Sequence, residues 1–248
     1  MTKISWTDKT WNPIVGCSRI SEGCKNCYAA TVAASARMQQ FSQYQAVKNW
    51  NGAIALVYNQ LEKPLSWRQP QKIFACSMSD LFHENITNVN RDEVFNVIEK
   101  CPQHTFQLLT KRPEIAVEYF QYRYKGDLIP DNVWFGVTAE NQATADKRIN
   151  TLKQINSSIK WVSFEPLLED IWLEDFLGAS NYFDWAVVGG ESGSNYRPVE
   201  VSWIESIVEQ CQNAGVPTWV KQDSAFLSGK QGRINDHTWS IKQFPHGN

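Results

Sequence analysis

The sequence predicts an α/β fold in a single domain over residues 1–248, a parallel β/α barrel, full or partial. Three observations carry this reading. Short apolar runs recur along the chain, and some are nearly continuous, as in Trp185-Ala186-Val187-Val188, the pattern of strands covered on both faces. Helical periodicity fills the stretches between them, and no hairpin signature dominates. Each run ends in a polar or charged tip.

Taken in order, the first strand is Trp11 to Val15. Tyr28 through Gln43, rich in Ala and free of Gly and Pro, predicts a helix. A surface connection over 59–71 leads to the strand Lys72 to Ser77. Val94, Val97 and Ile98 mark one face of a helix from about Arg91 to Lys100, before the strand Thr105 to Leu109. Gln121 to Asn132 reads as a second connection, followed by the strand Val133 to Val137. Ala145, Ile149 and Leu152 mark the next helix, and Lys160 to Phe164 the next strand. Asp170 to Tyr182 mixes apolar and acidic residues and reads as a short helix or a lid. After the strand Asp184 to Val188, the residues Ile204, Ile207, Val208 and Cys211 form an i, i+3, i+4, i+7 stripe. Gly215 and Pro217 stop that helix before the last strand, Thr218 to Val220. An open sheet is the alternative, because periodicity does not report closure.

Composition narrows the function classes. Apolar residues make up 42% and charged residues 20%, which excludes a disordered or collagen-like chain. No apolar run has the length needed to cross a bilayer. The opening Met1 to Asp8 has no apolar stretch, so no secretory signal is expected and the reading is cytoplasmic. A net charge of −2, from 24 basic and 26 acidic residues, leaves room only for a local nucleic-acid patch.

If the strands are parallel, their carboxyl ends share one face, where a barrel places its chemistry. Those tips are Gly16-Cys17, then Ser77-Met78-Ser79-Asp80 with His83, then Lys111-Arg112, Glu140-Asn141, Glu165-Pro166, Gly189-Gly190-Glu191 with Arg197, and Lys221-Gln222-Asp223. Taken singly, each is ordinary loop polarity: Glu165 before Pro166 suits a turn, and Lys111-Arg112-Pro113 suits a helix start. Together, Asp80, Lys111, Glu165 and Glu191 are the catalytic candidates. A non-radical reading uses Asp80, Glu140, Glu165 and Glu191 for hydrolysis or a second metal.

The cysteines are the most specific signal. Six residues separate Cys17 from Cys24 and two separate Cys24 from Cys27, whereas Cys76, Cys101 and Cys211 are scattered and read as core. Three thiolates suit soft metals. A zinc site needs a fourth ligand from His83, His104, His237 or His246, and of these only His83 stands beside a strand tip. A [4Fe–4S] cluster with three protein ligands leaves one iron open. Three buried thiols, or a redox pair, is the plain structural alternative.

Ile4-Ser5-Trp6-Thr7-Asp8, Thr10-Trp11-Asn12-Pro13 and Gly23-Cys24-Lys25-Asn26-Cys27-Tyr28-Ala29 resemble the phage Gp37/Gp68 family (DUF5131), a domain family of undefined function. The likeness continues through Ser77 to His83, Phe106 to Pro113, Asn132 to Thr138 with Glu140-Asn141, Val162 to Leu168, Gly189 to Gly193 and Lys221-Gln222. That family looks like a divergent relative of the radical S-adenosylmethionine enzymes. The resemblance implies a [4Fe–4S] cluster on Cys17, Cys24 and Cys27, with S-adenosylmethionine chelated by the open iron and a 5'-deoxyadenosyl radical as its product. It implies an electron donor such as flavodoxin or ferredoxin. It makes Ser77, Ser79, Glu140, Arg197 and Lys221 candidates for cofactor contacts, and Trp134 or Trp161 candidates for stacking on adenine. The substrate is not named; a nucleotide or nucleic acid is one candidate class, with Lys111, Arg112, Arg197 and Lys221 as phosphate ligands. Two features depart from those enzymes: six residues rather than three between the first two cysteines, and Asn26 where an aromatic residue is usual. Asp223-Ser224 stands where the nearer family commonly has Trp-Gly, which marks 221–248 as a variable loop beside the fixed cysteine loop at 16–28.

Overall fold

The computed structural model describes residues 4–245; Met1 to Lys3 and 246–248, with His246, lie outside the described residues. The chain groups into two compact units.

The first unit holds Thr7–Trp134 and Asn156–Ser158. In chain order it contains β1 (Lys9–Trp11), β2 (Ile14–Val15), α1 (Tyr28–Ala33), α2 (Ser42–Ala46), β3 (Ala55–Leu56), α3 (Tyr58–Leu61), β4 (Lys72–Ala75), α4 (Asn88–Glu99), β5 (Thr105–Thr110) and α5 (Pro113–Tyr124). β4 pairs in parallel with β1, Trp11 beside Ala75, and with β5, Lys72 beside Thr105. The predicted first strand, Trp11 to Val15, is instead two strands. Pro13 has no N–H for a ladder, and its carbonyl accepts the N–H of Val57 at 2.7 Å. The chain then leaves the parallel set, and β2 pairs antiparallel with β3.

The predicted helix Tyr28 to Gln43 also breaks. A 3-10 turn, Met38–Gln40, separates α1 from α2, and the Ser35 hydroxyl donates to the Val32 carbonyl at 2.7 Å, competing with the helix ladder. The two connections carry more structure than expected. The stretch at 59–71 contains most of α3 and the 3-10 turn Lys63–Ser66. α5 starts on Pro113, whose fixed φ suits a first turn, and runs on to Tyr124, where Lys125 turns left-handed (φ 55°). Thr87 and Asn90 form a reciprocal cap on α4. Under α4 and α5, Phe95 and Phe120 meet edge-on at 5.5 Å, and Val94 and Ile98 are fully buried.

β6 (Val133–Thr138) begins in the first unit and passes into the second, which also holds α6 (Gln142–Leu152), β7 (Ile159–Phe164), β8 (Trp185–Gly189), α7 (Val201–Asn213), β9 (Thr218–Gln222) and α8 (Asp236–Trp239). β7, β8 and β9 are parallel in chain order, Trp161 beside Trp185 and Val188 beside Val220. A Cβ on Gly136 of β6 would lie 2.5 Å from the Trp161 indole, so only glycine fits there. The stretch 170–182 forms turns rather than a helix. Its backbone bonds go elsewhere: Leu173 N–H to Gln210 of α7 at 2.7 Å, and Trp172 N–H to Gln142 of α6 at 2.8 Å. Trp6 closes an aromatic cluster in this unit, 5.2 Å from Trp161 and 6.0 Å from Trp185.

The mixed α/β class with parallel pairing stands, and six of the seven expected strands form near their expected positions, while the first divides into β1 and β2. Among the described residues no helix is long and apolar enough to cross a membrane.

Candidate functional site

In the first unit the ends of β1, β4 and β5 assemble around the cysteine loop. Gly16 has φ +101° and donates its N–H to the Met78 carbonyl at 3.0 Å. Any side chain there would collide with the Ala53 carbonyl, 2.2 Å from a Cβ. Cys76, just past β4, is left-handed at φ 59°, a conformation that costs a non-glycine residue roughly 1–2 kcal/mol. It is held by its N–H bond to the Trp11 carbonyl at 2.7 Å. The Asn12 side-chain oxygen, Oδ1, accepts from the Ser77 hydroxyl (3.2 Å) and the Met78 N–H (2.9 Å). The Ser79 hydroxyl donates to the Ile14 carbonyl at 3.0 Å. Both serines therefore tie the β4 end to the segment that carries Cys17.

Cys17, Cys24 and Cys27 are each partly exposed, whereas Cys76, Cys101 and Cys211 are buried. Cys17 and Cys27 pack against one apolar cluster with Val15, Ala29, Ala30 and Ala33. Their loop carries two different electrostatic settings. Burial, reinforced by the charge of Asp80, pushes the Cys17 thiol up to about 12 despite Arg112. Burial also works against ionising Cys24, but the Lys111 charge and hydrogen bonds from the Ile20–Ser21 turn outweigh it and lower that thiol.

Asp80 is 6% exposed and fully engaged. One carboxylate oxygen accepts from the Phe82 N–H (3.1 Å) and the Thr110 hydroxyl (2.7 Å). The other accepts from the Lys111 N–H (3.1 Å) and Arg112 Nη1 (3.2 Å). His83 has no exposed surface on its side chain. Its Nδ1 accepts the Asn85 N–H at 3.1 Å, so Nε2 carries the proton and donates to the Ser18 hydroxyl at 2.9 Å. With both nitrogens used, His83 is not poised as a fourth zinc ligand. His104 Nε2 bonds the Pro64 carbonyl. Among the described residues no three His, Cys, Asp or Glu side chains stand together as a site for a single ion. Three thiols of one loop are the soft donor chemistry that an iron–sulfur group takes.

In the second unit each predicted carboxylate holds a basic partner. Glu140 is fully buried against Arg148 at 2.6 Å, and the same Nη1 donates to the Thr138 carbonyl. Glu165 accepts from Lys221 and, at 3.3 Å, from Gln222. Glu191 takes Arg197 at 2.8 Å on one oxygen and the Arg197 N–H, also at 2.8 Å, on the other. Asp223 pairs with Arg233 at 2.8 Å. Trp161 is fully buried and Trp134 is 2% exposed, so neither ring presents a face for stacking.

The sequence reading missed Asn12, Ser18, Glu84 and Arg148. Glu84 follows His83 directly and Asn12 precedes Pro13, which were the available signals. Nothing in the spacing announced Arg148, which reaches Glu140 across the first turns of α6.

No curated protein matches the chain, and no solved structure does. One family model, described as a protein of unknown function (DUF5131), matches residues 1–240, nearly the whole length over which these strand ends and the cysteine loop are built, and the chain belongs to that family.

Proposed function

We propose that this protein is a radical S-adenosylmethionine-type enzyme on a β/α barrel, related to the phage Gp37/Gp68 proteins, with a [4Fe–4S] cluster on Cys17, Cys24 and Cys27. One observation carries the reading: the three thiols of one loop are partly exposed, Cys24 beside Lys111 and Cys17 beside Arg112, while the other three are buried. Soft, accessible sulfur next to fixed positive charge suits an anionic iron–sulfur group. When bound, that group together with S-adenosylmethionine supplies one-electron chemistry that ends in hydrogen abstraction from a substrate.

The chain's own residues have separate tasks. Asn12, Ser77 and Ser79 fix the loop to the β4 end. Lys111 balances charge at Cys24. In the second unit, the Glu165–Lys221 and Glu191–Arg197 pairs offer both charges to a polar ligand. Glu140, sealed against Arg148, acts on the fold rather than on a ligand. A nucleotide or nucleic-acid substrate and a flavodoxin- or ferredoxin-type donor in a reducing, cytoplasmic setting complete the proposal. A hydrolase built on Asp80, Glu140, Glu165 and Glu191 is the weaker reading, because each carboxylate is already neutralised by its own cation.

Anaerobic purification followed by iron, sulfide and zinc analysis tests this. Iron and sulfide near four-to-four per chain, lost in Cys24→Ala and kept in Cys101→Ala, is the expected result. One zinc without sulfide overturns it.

A further inference from the structure

Arg112 is 6% exposed, and all five of its N–H donors are used. Nε donates to Glu84 at 2.7 Å. Nη1 donates to Asp80 at 3.2 Å and to Cys17 Sγ at 3.7 Å. Nη2 donates to the Ser18 hydroxyl at 2.8 Å and the Ser18 carbonyl at 3.4 Å. One rigid fork thus grips two consecutive residues of the cysteine loop while two carboxylates grip the fork. Lysine cannot reproduce this, since its ammonium is a point charge without the planar geometry.

We propose that Arg112 is the positioning residue of the cysteine site, aiming Cys17 and setting the reduction potential of the group bound there through its N–H···S bond. This rests on the cluster reading above. Reduction adds negative charge, and a donor and a positive charge at a ligand sulfur stabilise the reduced form. The carboxylate of Glu84, on the far side of the guanidinium and 52% exposed, acts in the opposite sense.

The test is a potentiometric titration of the anaerobically reconstituted full chain, with iron measured per chain. Arg112→Gln is expected to bind at most half the parental iron, and its remaining clusters to titrate at a more negative potential. Arg112→Lys, which keeps the charge but loses the fork, should lose iron similarly with a smaller shift. Glu84→Gln, at an exposed position that leaves folding intact, should shift the potential to more positive values. A merely structural Arg112 would change iron content without moving the potential of the clusters that remain. Parental potentials in both Arg112→Gln and Glu84→Gln overturn this inference and leave the cluster reading standing. If Arg112→Gln does not fold, an unmoved Glu84→Gln potential overturns it alone. A parental protein without iron and sulfide overturns the cluster reading and this inference together.

Discussion

Lys221 places its ammonium 2.5 Å from Glu165, so the ends of β9 and β7 are joined across β8, the strand that lies between them. The two side chains are 13% and 15% exposed, enough enclosure for the pair to matter. Removing one partner leaves the other charge poorly solvated, whereas removing both does not. Glu165→Gln and Lys221→Gln should each lower stability by about 1–3 kcal/mol, and the double variant by less than their sum. Urea denaturation of the four proteins measures this, and strict additivity would show that the contact carries no energy.

Glu140→Gln should cost more, about 3–5 kcal/mol, because Arg148 would stay buried beside a neutral amide. Both side chains are almost fully enclosed, 0% and 6% exposed. Glu140→Leu combined with Arg148→Met should recover most of the loss. A Glu140→Gln protein as stable as the parent would mean that the pair opens to water in solution.

Acid stability should depend on Asp223. Burial alone would raise its carboxyl, but the Arg233 side chain and the N–H groups of Arg233 and Ser224 outweigh burial and hold it below its ordinary 3.8. The unfolded chain therefore binds this proton more readily, and stability rises with pH across that range. The contribution is complete above the unfolded value and disappears as pH falls through the folded one. Asp223→Asn should flatten the acid limb of the stability curve below about pH 4 while lowering stability at neutral pH. An unchanged acid limb would assign that limb to other carboxylates.

Gly16→Ala should destabilise the first unit by more than about 2 kcal/mol, since both its positive φ and the approach of Ala53 exclude a Cβ. The melting temperature should fall, and with it the loading of the proposed cluster. A stable variant that still loads metal would show that the loop can re-route.

In the metal-free protein, iodoacetamide should reach Cys24 well before Cys17. The Cys24 thiol is lowered beside Lys111, whereas burial holds Cys17 at about 12. Cys76 and Cys211, both buried and pushed up to about 12, should stay unlabelled while the protein is folded. Lys111→Met should slow labelling at Cys24. Mass spectrometry of timed samples reads the order directly, and equal rates at Cys17 and Cys24 would remove the electrostatic distinction between them.

Strands were legible wherever both faces are buried. Val133 to Val137 and Asp184 to Val188 match β6 and β8 almost residue for residue, because a doubly covered strand writes a continuous apolar run. The α7 stripe was equally plain. The first strand was misjudged because Trp11, Ile14 and Val15 read as one apolar run across Asn12, while the missing N–H of Pro13 decides where pairing changes. The cysteine loop was visible from local spacing. The partner of Glu140 was not, since Arg148 reaches it through folding and leaves no periodic trace. The outcome inverts part of the expectation for the site: Glu140 and Asp80, read as ligand or catalytic groups, are enclosed by their own hydrogen bonds.

The Trp6 cluster has a consequence for how the chain is made. Trp6 leaves the ribosome long before Trp161 and Trp185, the rings it packs against. At ordinary elongation rates the wait is on the order of ten seconds. Throughout that interval a large apolar indole, 3% exposed when folding is complete, lacks the two rings it packs against. The second unit therefore cannot finish until a segment from the far end of the chain returns to it. A fragment beginning after Trp6 would lack that ring, so cutting the gene between the units should yield a second half that aggregates, and a peptide carrying Ile4-Ser5-Trp6 added in trans should partly rescue it.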